Sequence, residues 1–94
     1  MTYHVEWSKA ATKQLLKIPK KQRLLIVSWI KENLDGCVNP RNVANGKQLQ
    51  GTSSGWRWRV GSYRVLAKIE DEKLVIVVVR AGHRQGAYKN LPKM

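Results

Sequence analysis

The clearest pattern in the chain is the alternation of apolar and basic positions in residues 56–60, WRWRV. Alternation with a period of two is typical of a β-strand, since successive side chains point to opposite faces of a sheet. Trp56 and Trp58 are therefore expected on one face, and Arg57 and Arg59 on the other. The pattern predicts a half-buried strand.

A two-residue turn, Gly-Ser at residues 61–62, follows this strand directly. A Gly-X dipeptide is a common hairpin loop, and it places Val60 opposite Tyr63 and Arg59 opposite Arg64. Like charges that face each other across two strands destabilise the pair. We therefore expect a hairpin whose clustered guanidinium groups bind an anion.

The first third of the chain predicts a strand and two helices. Residues 2–7 alternate between apolar and polar, which indicates a strand. Apolar residues at helical spacing predict a helix over residues 8–18, with Ser8 as its N-cap. A second helix is expected to restart at Pro19 and to end at Gly36.

The middle of the chain is rich in turn residues, and two strands follow the hairpin turn. Residues 37–54 predict a loop, with a short helical turn at 41–44 and a loop at 46–51 that Leu49 pins to the core. The second arm of the hairpin runs to an acidic turn at 70–73. The apolar β-branched run at 74–79 predicts a central strand.

These elements predict one α+β domain over residues 1–94: an N-terminal strand, a helical hairpin and a three-strand antiparallel meander. Two helices must cover one face of the resulting four-stranded sheet. The tryptophan face is the apolar one, so we expect the helices to pack there and the arginine face to stay open to solvent.

Charge narrows the class of partner. The 94 residues include 18 Lys and Arg against 6 Asp and Glu, which gives a formal net charge of +12 and a pI near 10.4. Such a balance indicates a polyanionic partner: nucleic acid, an anionic membrane or an acidic protein. The lone Cys37 excludes an internal disulfide, and no apolar run could span a bilayer. We expect a cytoplasmic protein.

The first candidate site is the set Arg57, Arg59 and Arg64. Guanidinium groups bind phosphate through paired hydrogen bonds and keep their charge near neutral pH. Lys47 and Trp56 are further candidates for substrate binding. The alternative is a strand face that is merely solvated.

A second candidate site follows the apolar strand, where Gly82, His83 and Arg84 precede Tyr88. Segments after buried strands often carry function, and a tyrosine can stack on a base or donate a proton. Alternatively, Tyr88 anchors the tail by packing and His83 is exposed. The two histidines and the cysteine match no metal-ligand spacing, so neither a metal nor a cofactor is expected.

The element order, the run WRWRVGSYRV at residues 56–65, and Gly82-His83-Arg84 followed by Tyr88 together resemble the RelE toxins of bacterial and archaeal toxin–antitoxin pairs. The likeness covers nearly the whole chain. It implies a metal-independent endoribonuclease that enters the ribosomal A site and cuts mRNA, inhibiting translation. In this family the ribose 2′-OH attacks, and the products end in a 2′,3′-cyclic phosphate and a 5′-OH.

The resemblance also implies residue roles. Arg57 and Arg59 correspond to the basic pair before the hairpin turn, and Arg64 to the phosphate-clamping arginine after it. Arg84 matches the arginine that assists the leaving 5′-oxygen, and Tyr88 the tyrosine that stacks on the mRNA.

One departure from the family concerns the general base, the group that would take the proton from the 2′-OH. Some members carry lysines where this chain has Arg57 and Arg59, and an arginine cannot act as a base. Tyr88 or His83 must then supply one, or the rate rests on positioning and electrostatics.

The implied partners are an acidic RelB-type antitoxin, the ribosome and its mRNA, and operator DNA bound only by the toxin–antitoxin complex. No membrane partner is expected. Three rival functions stay open on the sequence alone. They are a ParE-type toxin of the same fold acting on DNA gyrase, a non-catalytic nucleic-acid-binding module, and an inactive toxin homologue.

Overall fold

The computed structural model describes residues 1–49, 51 and 54–83 of the chain. Two α-helices, a short 3₁₀ helix and five β-strands form in this part, and their arrangement confirms the α+β class. In chain order they are β1 (His4–Trp7), α1 (Lys9–Lys17), α2 (Lys20–Asn33), the 3₁₀ helix (Pro40–Asn42), β2 (Gly46–Gln48), β3 (Gly55–Val60), β4 (Tyr63–Glu70) and β5 (Val75–His83).

The strands form one sheet in the order β1-β5-β4-β3-β2. β1 runs parallel to β5, and every other neighbouring pair is antiparallel. β3, β4 and β5 are therefore the predicted meander. β5 is flanked by a strand on each side, as its apolar run predicted, and Ile76 and Val78 within it are fully buried.

The helices pack on one face of the sheet, as predicted. Each buried aliphatic side chain contributes about 1.5–3 kcal/mol through removal of apolar surface from water. The tryptophan face of β3 supplies the sheet side of this core. The buried cluster contains Tyr3, Ala11, Ile18, Ile26, Ile30, Leu34, Trp58, Val65, Ala67, Ile69, Ile76 and Val78.

α1 begins and ends where the sequence predicted, whereas α2 ends at Asn33, three residues before the predicted stop at Gly36. The Oγ atom of Ser8 accepts a hydrogen bond from the N–H of Ala11 at 3.0 Å, which caps α1. Pro19 separates the helices and is the N-cap of α2. Gly36 follows α2 with a φ of +84°, a left-handed conformation that glycine adopts without strain. None of the described helices is both long and apolar enough to cross a membrane.

β2 is a strand that the sequence did not predict, and it brings the sheet to five strands rather than four. It pairs antiparallel with β3, with Gly46 opposite Trp58. A Cβ atom at Gly46 would lie 2.5 Å from Nε1 of Trp56 and 2.7 Å from Cδ1 and Nε1 of Trp58. β2 thus joins the sheet because its glycine lets the backbone approach two indole rings, a tertiary contact that local propensity does not report.

The outer edge of β1 is capped by the segment that follows α2. The N–H of Tyr3 donates to the carbonyl of Cys37 at 2.8 Å, and the N–H of Gly36 donates to the carbonyl of Tyr3 at 2.7 Å. The N–H of Val5 donates to Oδ1 of Asp35 at 3.2 Å. The first half of this edge strand is therefore hydrogen-bonded on both sides.

A polar cluster around Asp71 ties four segments together. The hydroxyl of Tyr3 donates to Oδ1 of Asp71 at 2.6 Å. Arg41 makes a paired contact with the same carboxylate, at 2.9 Å from Nη1 to Oδ1 and 3.1 Å from Nη2 to Oδ2. The guanidinium of Arg41 also lies 5.9 Å from the ring centroid of Trp56. The N-terminus, the 3₁₀ helix, the β4–β5 turn and β3 meet here.

The hydrogen bonds of this cluster shift the pKa values of Asp71, Tyr3 and Arg41, and that of Arg41 is raised by its bond to Asp71. The hydrogen bonds from Arg41, and then from Tyr3, lower the pKa of Asp71 below its usual range. The bond to Asp71 raises the pKa of Tyr3. The lowered pKa means that Asp71 stabilises the fold above about pH 4, and that this contribution is lost as the pH falls through the lowered value.

The substitution Asp71→Asn tests this contribution. At pH 7 we expect the variant to be less stable by about 1 kcal/mol or less, because the pair is largely exposed to solvent; the Asp71 side chain is 56% exposed. The difference should shrink as the pH is lowered below 4, where the wild-type carboxylate protonates. Thermal melts between pH 7 and pH 2 measure it, with Glu72→Gln in the same turn as control. A stability difference between the two proteins that stays constant down to pH 2 would contradict the stabilising role of the Asp71 carboxylate.

Gly46→Ala tests the packing of β2. The added methyl group must displace one of the two indole rings, which we expect to cost about 1–3 kcal/mol of unfolding free energy. Lys47→Ala at the next, exposed position is the control and should change stability by no more than about 0.5 kcal/mol. Urea unfolding measures both. Wild-type stability of Gly46→Ala would mean that the rings do not pack on this strand.

Candidate functional site

The hairpin of β3 and β4 has the register that the sequence predicted. Arg59 pairs with Arg64 and Val60 with Tyr63. Gly61 in the turn has a φ of +62°, so the tight connection uses a conformation that other residues rarely adopt. The two arginines therefore point from adjacent strands to the same face, opposite the helices.

A second row of side chains lies beside this pair on the same face. Lys47 of β2 pairs with Arg57 of β3, Arg57 pairs with Leu66 of β4, and Leu66 pairs with Arg80 of β5. The row crosses four strands. We call the surface formed by Lys47, Arg57, Arg59, Arg64 and Arg80 the basic sheet face.

The basic sheet face concentrates five cations in a small area. Neighbouring strands lie about 4.8 Å apart and alternate residues on a strand about 7 Å apart, so the five side chains project from about 14 by 7 Å. None of the six acidic residues occupies a position in these two rows. Such an array produces a strongly positive potential that attracts a polyanion.

The five side chains of the basic sheet face differ in how much of their surface is exposed to solvent. Arg59 and Lys47 are exposed and Arg57 and Arg80 are half-buried, whereas Arg64 retains only 9% of its accessible surface. Leu66, between Arg57 and Arg80, is fully buried although it lies outside the helix-packed core. The expectation of an arginine face wholly open to solvent is therefore wrong at its centre, where long side chains flank an apolar floor.

On the same side of the sheet, the end farther from the hairpin turn carries positive and negative side chains that balance each other. Nε2 of His4 lies 3.4 Å from Oε2 of Glu6 on β1. Nζ of Lys68 and Nζ of Lys73 each lie 3.8 Å from a carboxylate oxygen of Glu70. Among the described residues, the excess positive charge of this side of the sheet thus lies at the end nearest the hairpin turn, and His4 is an exposed strand residue.

Trp56 does not join the other candidate residues. It pairs with Gln48 and Ala67, and it packs against the core on the helix-covered face. The alternation that directs Arg57 to the basic sheet face directs Trp56 away from it. Its ring instead lies near Arg41.

The second candidate site is described only in part. His83 ends β5, where its backbone pairs with Tyr63, and Gly82 pairs with Arg64. The candidates Arg84 and Tyr88 lie outside the described residues, and their roles stay predictions.

Arg80 is the one member of the face that sequence reasoning missed. The apolar run predicted that the strand ends at Val79, but β5 continues to His83. The register shifts between Leu66 and Ala67, which pair with Arg80 and Val78, so Val79 is an extra residue in the ladder. This bulge turns Arg80 to the basic side, and no local sequence signal marks it.

Cys37 lies apart from the basic sheet face, beside Tyr3 at the edge of the sheet. Burial raises the pKa of the Cys37 thiol, which disfavours the reactive thiolate at neutral pH. Among the described residues, His, Cys, Asp and Glu form no group of three that could hold a metal ion. The described residues of the basic sheet face offer positioned guanidinium and ammonium groups.

Comparisons with known proteins identify the family to which the chain belongs. Residues 5–88 match the family model described as the ParE toxin of the type II toxin–antitoxin system parDE. The chain is 30% identical over 90 residues to toxin RelG of Mycobacterium tuberculosis, covering 95% of this chain and 99% of that protein.

Two solved structures share the fold over almost their full length. One is the RelBE2 toxin–antitoxin complex of Mycobacterium tuberculosis, with a TM-score of 0.72, 27% identity, and coverage of 89% of this chain and 100% of that one. The other is the archaeal RelE–RelB complex of Pyrococcus horikoshii, with a TM-score of 0.72, 28% identity, and coverage of 93% and 100%. The chain belongs to the RelE/ParE superfamily of toxins from type II toxin–antitoxin systems.

Proposed function

We propose that this toxin is a ribosome-dependent endoribonuclease that cleaves mRNA in the ribosomal A site and so inhibits translation. The observation that carries the proposal is the basic sheet face. Five cations from four strands share one face in two adjacent rows. A polynucleotide backbone is the ligand that such an array fits best.

The proposed reaction requires no nucleophile from the protein. The 2′-oxygen of the RNA attacks the adjacent phosphorus, and the bond from phosphorus to the 5′-oxygen breaks. The 2′-OH loses its proton to a base, and the leaving 5′-oxygen takes up a proton. The products are a 2′,3′-cyclic phosphate and a 5′-OH. The need for a 2′-OH makes the activity specific for RNA over DNA.

The guanidinium groups serve this reaction by electrostatics. Arg57, Arg59 and Arg64 hold the scissile phosphate and stabilise the charge that develops on it in the transition state. The small exposed fraction of Arg64 favours a fixed side chain in a partly dehydrated setting. Lys47, at the far end of the second row, extends the contact to a neighbouring phosphate.

The remaining roles rest on the resemblance to RelE toxins. Arg84 neutralises the leaving 5′-oxygen, and Tyr88 positions or deprotonates the 2′-OH, with His83 as a further contact to the substrate. Trp56 is left out of the site because its ring lies on the opposite face.

The proposed protein partner is an acidic RelB-type antitoxin in the cytoplasm. Both solved relatives described above were crystallised as complexes of a toxin with its antitoxin. A net charge of +12 favours an acidic partner segment. Binding of operator DNA is expected only from the toxin–antitoxin complex.

A second candidate is a ParE-type toxin directed at DNA gyrase, because the matching family model is that of ParE toxins. The two activities leave different products in an induced host. A gyrase poison accumulates trapped gyrase–DNA complexes, whereas the ribonuclease leaves breaks within the codons of translated messages. Mapping mRNA 5′ ends after induction separates the two.

Arg59→Ala tests the role of the basic sheet face, because Arg59 is exposed and its removal should leave the fold intact. We expect cleavage of mRNA on programmed ribosomes to fall by about 10²-fold, as for the loss of one group that stabilises transition-state charge. Lys73→Ala is the matched control: it removes one exposed positive charge outside the face and should cleave like wild type.

The outcome is read as a cleavage rate together with the positions of the breaks. A rate for Arg59→Ala equal to that of Lys73→Ala would contradict the proposed site. Breaks in untranslated RNA at the same rate would contradict dependence on the ribosome.

A further inference from the structure

Gly82 lies inside β5 on the basic sheet face, directly opposite Arg64 on β4. A Cβ atom built at this position meets none of the described atoms within 4 Å. Its φ lies outside the left-handed region, so the backbone would accept other residues. Neither conformation nor packing within the described residues therefore requires a glycine here.

Two other glycines, Gly46 in β2 and Gly61 in the β3–β4 turn, have a structural reason that Gly82 lacks. Gly46 is needed because two indole rings press on it, and Gly61 because its φ is +62°. A glycine inside a strand weakens the strand, because it has more conformational freedom to lose and no side chain to pack. A glycine inside a strand often marks a bulge, a tight bend, or a site where a ligand or another backbone approaches closely.

The space above Gly82 is bounded by cations. Arg64 lies on the neighbouring strand at the same level, Arg59 is next in that row, and Arg80 precedes Gly82 by two residues on the same strand face. On the other side, β1 has already ended at Trp7, which pairs with Val78. The gap is thus a shallow floor at the rim of the sheet with guanidinium groups along two sides.

The outer edge of β5 next to this floor is held in place by α1. The N–H of Ala81 donates to Oε1 of Gln14 at 3.0 Å. The backbone that forms the floor is therefore fixed on one side by the ladder to β4 and on the other by a helix side chain.

We propose that Gly82 is a positioning residue: its missing side chain lets the ribose–phosphate chain of the RNA lie against β5, where one phosphate contacts both Arg64 and Arg80. This inference rests on the proposed ribonuclease function and deepens it. It assigns Arg80 to the substrate contact and makes the size of residue 82 a limit on how closely the scissile nucleotide can approach Arg64.

The test uses Gly82→Ala and Gly82→Val in single-turnover cleavage of a defined mRNA on programmed ribosomes, with thermal melts of each purified protein. We expect the melting temperature to stay equal or rise, because alanine and valine suit a strand better than glycine. The maximal cleavage rate should fall in order of size, by about tenfold for alanine and about a hundredfold for valine, or 1.4 and 2.7 kcal/mol of activation free energy. A merely structural role would instead lower stability and rate together.

His4→Val is the matched control, because it places the same side chain at an exposed strand position on the balanced end of the same face. It should cleave like wild type. Wild-type cleavage by a folded Gly82→Val would overturn the inference and leave the ribonuclease function standing. If Gly82→Val has a lower melting temperature than wild type, the inference is judged on Gly82→Ala instead. Wild-type cleavage by a folded Gly82→Ala would then overturn it. Intact mRNA with the wild-type toxin would instead reject the proposed function, and this inference with it.

Discussion

The register between β3 and β4 is the constraint on which the rest of the structure depends. A slip of one residue would move every side chain of a strand to the other face. The tryptophans would then face outward and the arginines would be forced under the helices. The tight turn at Gly61 and the burial of Trp58 against Val65 both select the observed register. The core and the basic sheet face are thus two results of a single alignment, and the cost of setting Arg59 beside Arg64 is offset by burial on the opposite side of the same strands.

The edge strand β2 also links the apolar core on one side of the sheet to the basic sheet face on the other. Gly46 allows the strand to rest on two indole rings, and the next residue, Lys47, consequently falls into line with Arg57. Packing on the apolar side therefore determines how far the positive surface extends on the other. Three residues that have little β-propensity of their own thereby widen the basic sheet face.

Local chemistry made much of this fold predictable. The period-two pattern at residues 56–60, the turn that follows, the Ser8 cap and the Gly36 stop all act over a few residues, and the structure has them where they were expected. The features that were not predicted depend on contacts between residues far apart in the sequence. β2 exists because of tertiary packing, and Arg80 reaches the basic sheet face because of a bulge at Val79. Trp56, grouped with the substrate-binding residues on its type, packs against the core because its position on the strand decides which face it joins.

The cap on β1 has a consequence for how the protein behaves at high concentration. An open sheet has two free edges, each of which is a template on which another copy of the chain can add strands and begin to aggregate. Here the first half of one edge is occupied by the backbone at Gly36 and Cys37 and by the Asp35 carboxylate. The other edge is a strand of only three residues. A small domain with strong β-forming runs is in this way protected against edge-to-edge polymerisation by its own chain, before any partner binds.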